Sequence, residues 1–162
     1  MRYEISTHEV PDQPILSIRQ RLPTADMPGF VGQCYQEMYG HLGELGVEST
    51  GAPFVIYHAF GPGDVDAEVA VPVPFAVAES GRMASRVLPG GTVARTLHQG
   101  PYNELGAAYT ELTEWVGDHG FEVTGPARER YLNEPGPDVA PADYLTEIDL
   151  AIAPAKVMAG TV

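Results

Sequence analysis

In the segment Arg128, Glu129, Arg130, Tyr131, Leu132, Asn133, an extended backbone sends Glu129 and Tyr131 to one side and Arg128, Arg130 and Leu132 to the other. A carboxylate beside a phenol can hold a cation, accept a hydrogen bond or position a reacting water, but burying it is costly unless something compensates the charge. Two readings are open. Either Glu129 belongs to a site reserved for a cation, a donor or a water, or it lies on a solvated face and pairs with Arg128 or Arg130. Tyrosines are the natural walls for the first reading, since their rings attract cations and their hydroxyls donate hydrogen bonds.

The chain carries those tyrosines in duplicate. The segment from His41 to Tyr57 is answered by the one from Trp115 to Tyr131, so that Gly43, Gly46, Thr50, Gly51 and Tyr57 map in register onto Gly117, Gly120, Thr124, Gly125 and Tyr131. The repeat is too long for a solenoid unit and implies two similar modules about a pseudo-twofold axis, residues 1–73 and 82–153, within one domain spanning 1–162. Tyr57 and Tyr131 become a symmetric pair, and Glu129 stands where the first module has Val55.

Each module reads as strand, strand, helix, strand, strand. Alternating patterns at Tyr3–Glu9 and Ile15–Leu22 precede a helix from Pro28, whose Val31, Cys34, Tyr35, Met38, Leu42 and Leu45 form one apolar face ending at Gly46. Strands follow at Phe54–Phe60 and Val65–Val73. The second module places strands at Met83–Leu88 and Thr92–His98, and a helix from near Pro101 that turns Leu105, Ala108, Tyr109, Leu112 and Val116 inward and stops at Gly120. Arg128–Asn133 and Tyr144–Ile152 complete it, and the tail after Ala153 has no periodic pattern. The expected class is α+β: antiparallel sheets forming a central cleft, with helices on the outer faces. The cleft should be lined by one parity of strand residues: Glu129, Tyr131, Tyr57 and Val55, with Tyr144 preferred to Glu147 on the last strand. Phe30, Tyr102 and Leu105 near the helix starts can lean over its mouth. The helical aromatics Tyr35, Tyr39, Tyr109 and Trp115 serve either the core or the ligand wall.

Composition narrows the function. A chain of 162 residues, 44% hydrophobic and 19% charged, is long enough to bury a core without staples. One cysteine, Cys34 at a helical core position, excludes an internal disulfide and suits a reducing cytoplasm. The strand-like N-terminus lacks a signal core, and no stretch is apolar enough for a membrane helix. A net charge of −13 without a basic stripe argues against direct nucleic acid binding. The five histidines show no ligand spacing, and nucleophile-elbow, phosphate-loop and dinucleotide fingerprints are missing, so no metal and no cofactor are expected.

The repeat, the helix motif from His98 to Phe121 with its Gly-Pro-Tyr start and Ala-Tyr-x-x-Leu-x-x-Trp continuation, and the closing Thr-Glu-Ile strand resemble the GyrI-like small-molecule-binding domain family over nearly the whole chain. That family includes effector-binding modules of multidrug-responsive transcription activators and stand-alone proteins named for gyrase inhibition. The resemblance implies a pocket glutamate at Glu129 and a tyrosine opening the last strand at Tyr144. The family's aromatic near the second helix start falls on Leu105, where Tyr102 can substitute. Strand signals begin at Tyr3, so a free-standing binder is expected.

Three functions share this scaffold. The first is a binder of hydrophobic, cationic or planar xenobiotics, with Glu129 supplying charge complementarity. The second is a hydrolase similar to relatives that open the cyclopropane of DNA-alkylating natural products, with Glu129 handling water and Tyr144 or Tyr131 steadying the phenolate. The third is a protein-interaction module, such as a gyrase-directed inhibitor, that uses the acidic surface.

Overall fold

A computed structural model of the protein describes residues 3–133 and 137–155. In chain order its main elements are β1 (Ile5–Val10), β2 (Gln13–Pro23), α1 (Met27–Leu45), β3 (Phe54–Phe60), β4 (Asp64–Pro72), β5 (Ala84–Leu88), β6 (Gly91–Gln99), α2 (Leu105–Asp118), β7 (Phe121–Tyr131) and β8 (Leu145–Pro154). Pro28 sits in the first turn of α1, where its missing N–H costs nothing, and Gly46 ends the helix at φ 69° with its N–H returned to the carbonyls of Leu42 and Gly43. Of the expected helix faces, Cys34, Met38 and Leu42 in α1 and Ala108, Leu112 and Val116 in α2 are buried; Phe30 joins the buried residues of α1, while Leu45 at its end is exposed. β7 begins at Phe121, well before the expected Arg128, while the end of the tail, 156–162, lies outside the described residues.

The class is α+β, and all eight strands join one antiparallel sheet in the order β1-β6-β8-β7-β3-β4-β2-β5. The halves meet edge to edge where β3 pairs with β7. The first strand of each half is exchanged: β1 pairs with β6, and β5 pairs with β2. That exchange forces the sheet to bend. In a flat sheet β1 and β2 would stand six strand spacings apart, roughly 29 Å. The link from Val10 to Gln13 can reach only about 11 Å. The sheet therefore curls until its two ends come together, and the β1–β2 and β5–β6 links cross in contact. Gly90 makes this possible, since a Cβ there would lie 2.3 Å from the Val10 carbonyl oxygen, and its N–H donates to Asp12 Oδ1 at 2.7 Å.

Both helices cover the same face. α1 packs over β2 and β4, and α2 over β6 and β7. On β7, Ala127 joins the α2 core (Leu112, Ile148, Leu150), while Tyr131, of the same parity, joins the α1 core (Met38, Val55, Val69). Ile15, Phe54, Ile56, Ala70 and Leu88 form a separate cluster on the other face, buried inside the curl without any helix. The helices thus lie outside a helix-free groove, as expected, but the residues assigned to that groove do not. Glu129, Tyr131, Tyr57 and Val55 lie on the helix-bearing face, over the strip of sheet between α1 and α2. Alternation fixes which strand residues share a side; it does not fix which side a helix covers. Among the described residues no helix is long and apolar enough to cross a membrane.

Candidate functional site

The middle of the sheet holds a closed network of oxygen groups. Val55 of β3 faces Glu129 of β7 directly across the ladder. Glu129 is buried, at 4% exposure. Its Oε1 accepts a hydrogen bond from the Tyr131 hydroxyl at 2.9 Å, and its Oε2 accepts one from Tyr109, which descends from α2. The Tyr57 hydroxyl lies 2.8 Å from that of Tyr131, so one chain of phenols runs from β3 through β7 to the carboxylate. A β-bulge in β3 between Tyr57 and Ala59 ends the regular ladder just beyond this point.

Among the described residues no arginine or lysine forms an ion pair with Glu129. Arg130 bonds Glu147 at 2.7 Å and Arg128 bonds the Pro89 carbonyl at 3.3 Å, both on the opposite face, which removes the reading in which they pair with Glu129. Burial pushes the Glu129 carboxyl above its ordinary value of 4.5, although the hydrogen bonds from Tyr109 and Tyr131 pull the other way. Burial first, and then the Glu129 charge, raise the phenols of Tyr57, Tyr109 and Tyr131, so all three stay protonated donors.

Aromatic rings extend from this centre. Tyr102, on a short turn preceding α2, meets Tyr131 edge-on at 5.6 Å and stacks on Tyr144 at 4.8 Å. Phe60, largely exposed, stacks on Tyr57 at 4.9 Å. From α1, Tyr35 packs against the same core and touches Tyr39 edge-on, while Phe30 is buried beneath the Arg82 guanidinium. Leu105, at the start of α2, packs into the second core. Trp115 is not brought in: it stacks on His119 and Phe121 at the far end of α2.

Three neighbours were not singled out from sequence as site residues. Thr146 faces Tyr131 across β7–β8 and His98 across β6–β8; its buried hydroxyl has no hydrogen-bond partner among the described residues. His98 is held by the Tyr3 hydroxyl at Nδ1, 2.8 Å, and by the Pro101 carbonyl, which accepts from Nε2–H at 3.3 Å. Phe60 sits at a strand end. Strand parity brings Thr146 to Glu129's side once the register is known, but register is not written in a single strand. Among the described residues no group of three His, Cys, Asp or Glu side chains could hold a metal ion.

The sequence pattern of the GyrI-like small molecule binding domain matches residues 3–153. The chain belongs to the GyrI-like family. Among solved structures, this GyrI-like domain is similar to the C-terminal domain of EcmrR, with 25% identity, TM-score 0.77, and coverage of 96% of this chain and all of that one. It spans 58% of the EcmrR chain in a complex with DNA, again at 25% identity and with TM-score 0.81. A hydrolase from Listeria innocua shares the fold at 15% identity and TM-score 0.72, covering 93% of this chain and 92% of that one. The protein SAV2435, solved bound to tetraphenylphosphonium, shares it at 17% identity and TM-score 0.64, covering 93% and 94%. No curated protein matches this chain by sequence.

Proposed function

We propose that this GyrI-like domain binds lipophilic organic cations in the space between α1 and α2, with Glu129 as the counter-charge and Tyr57, Tyr102, Tyr131 and Tyr144 as aromatic walls. The single observation that carries this reading is the buried Glu129 carboxylate, hydrogen-bonded by two phenols and in no ion pair with an arginine or lysine among the described residues. A carboxylate in that setting is held at a cost which an entering cation relieves, while a neutral or anionic guest finds no such gain. The phenol network is closed over Glu129 in this structure, so the guest must part the Tyr131–Tyr57 bond or rotate Tyr102 away from Tyr144 to reach it. Support from outside the chain is that SAV2435 is seen with tetraphenylphosphonium. A binder of this kind acts by sequestration or as the sensing part of a larger regulatory assembly, and the reading places it in the cytoplasm, in keeping with its single buried cysteine.

Equilibrium dialysis against tetraphenylphosphonium and against neutral triphenylphosphine oxide tests it. Saturable binding that favours the cation is expected; equal uptake of the two, or none, would remove the proposal.

A further inference from the structure

The helix-free groove carries chemistry that the Glu129 site does not use. Inside the curl of the sheet, strands from both ends and from the middle line a half-open cavity of about 360 Å³. Val10, Ile56, Leu88 and Val93 supply its apolar wall. His58, Arg86 and Arg128 supply its charged and polar groups, and Gly90, Gly91 and Gly125 also line it. The volume falls within the roughly 300–1,000 Å³ of small-molecule sites.

These three side chains are not equivalent. Arg86 donates twice to Glu68, at 2.9 and 2.6 Å, and His58 and Ser17 complete that carboxylate's shell at 2.8 and 2.6 Å. Arg128 has no such partner. Asp149, directly across β7–β8 from it, is taken by Arg95 through two bonds of 2.7 and 2.9 Å. Among the described residues, no carboxylate lies within ion-pair distance of Arg128, and its guanidinium makes one long bond, to the Pro89 carbonyl. Partial burial, with the neighbouring Arg130 and Arg86, lowers its pKa against the pull of Asp149. In a chain of net charge −13, Arg128 is a guanidinium at an apolar wall that no carboxylate among the described residues engages in an ion pair.

We propose that this groove is a second binding site, for a small amphipathic organic acid whose carboxylate takes the free donors of Arg128 and whose apolar body lies on Ile56, Leu88 and Val93. A planar guanidinium matches a carboxylate two bonds at a time. The nearby carboxylates Glu68 and Asp149 disfavour a dianion, and the apolar wall gives nothing to a bare inorganic anion. Arg128 and Glu129 are chain neighbours that point to opposite faces, so this site and the cation site stand or fall separately.

Nitrogen-resolved NMR spectra of the full chain, titrated with benzoate, benzamide and inorganic phosphate, decide it. Benzoate should saturably shift the amides of Gly90, Gly91 and Gly125 and the Arg128 Nε–H signal, with benzamide and phosphate weaker by about tenfold or more. Arg128→Met should lose the benzoate preference, and Arg128→Lys should keep part of it. Benzamide or phosphate binding as well as benzoate, shifts centred on Tyr57 and Tyr131 instead, or no saturable shift with any probe would overturn the assignment. The comparison of benzoate with benzamide uses the unmodified chain, so it holds even if the Arg128 variants fold poorly.

Discussion

Val55 and Glu129 face each other across β3 and β7, and the pseudo-twofold axis of the fold passes through this pair. Repeat mates lie a fixed distance apart in the chain, as Tyr57 and Tyr131 do with 74 residues between their numbers. In an antiparallel ladder that spacing can coincide with direct pairing at one position only, and here it is Val55 with Glu129. The two modules therefore differ at the one place where they touch themselves. An aliphatic residue and a carboxylate share the axis, and a ring of tyrosines from both halves surrounds them.

The network that closes over Glu129 depends on Tyr131, which bonds both Glu129 and Tyr57. Tyr131→Phe removes a donor from a buried carboxylate and should cost about 1–3 kcal/mol in chemical denaturation. It should also move the Glu129 carboxyl further upward. Tyr57→Phe, which leaves the bond from Tyr131 to Glu129 in place, should cost less.

Acidity at Glu129 gives opposite signs for stability and for binding. Its folded-state value is raised above 4.5, so its contribution to stability is fully present below that pH and is lost as pH rises through the folded value. Affinity for tetraphenylphosphonium should rise over the same window, because the counter-charge appears there. Glu129→Gln should flatten both profiles. Stability and dialysis measured at a series of pH values check the pair of slopes.

Glu68 behaves the other way. Burial would raise its carboxyl, but hydrogen bonds from Arg86, Ser17 and His58 outweigh burial and hold it at about 2. Its contribution is present above 4.5 and is lost as pH falls toward about 2. Glu68→Gln should therefore remove about 2–3 kcal/mol at neutral pH and make stability less steep in acid. Urea unfolding from neutral pH down to pH 3 shows whether it does.

The crossing of the two links is the tightest point of the backbone. Gly90→Ala would set a Cβ against Val10, Pro11 and Asp12 at 2.3, 2.5 and 2.7 Å, all backbone atoms. The links must separate, with a loss of about 3 kcal/mol or more in thermal or chemical unfolding. Gly43→Ala in α1, where nothing lies within 4 Å, should instead stabilise by about 0.5–1 kcal/mol.

Much of this was legible in the residues. Glycines and alternation place β3 at its observed bounds and every other element within a few residues, apart from the early start of β7, because turn chemistry and apolar periodicity are local. The repeat identifies Tyr57 with Tyr131 and marks the departure at Glu129. What could not be read was pairing. β4 is buried on both faces, so its run of valines and alanines shows no clean alternation to say which side is covered. The exchange of β1 and β5, and the curl that follows from it, depend on contacts between residues far apart in the chain. Hence parity alone points the cluster toward the helix-free groove and does not link Thr146, His98 and Phe60 to it. Trp115 shared a helix with Tyr109 but lies two turns away, against Phe121.

The most direct test of the central claim is the affinity of tetraphenylphosphonium for the unmodified chain and for Glu129→Gln by calorimetry, with triphenylphosphine oxide titrated into both. Loss of about tenfold or more of the cation's affinity in Glu129→Gln, with the neutral compound unaffected, is the predicted result. Equal affinity of the cation for both proteins would show that the buried carboxylate is not what recognises it.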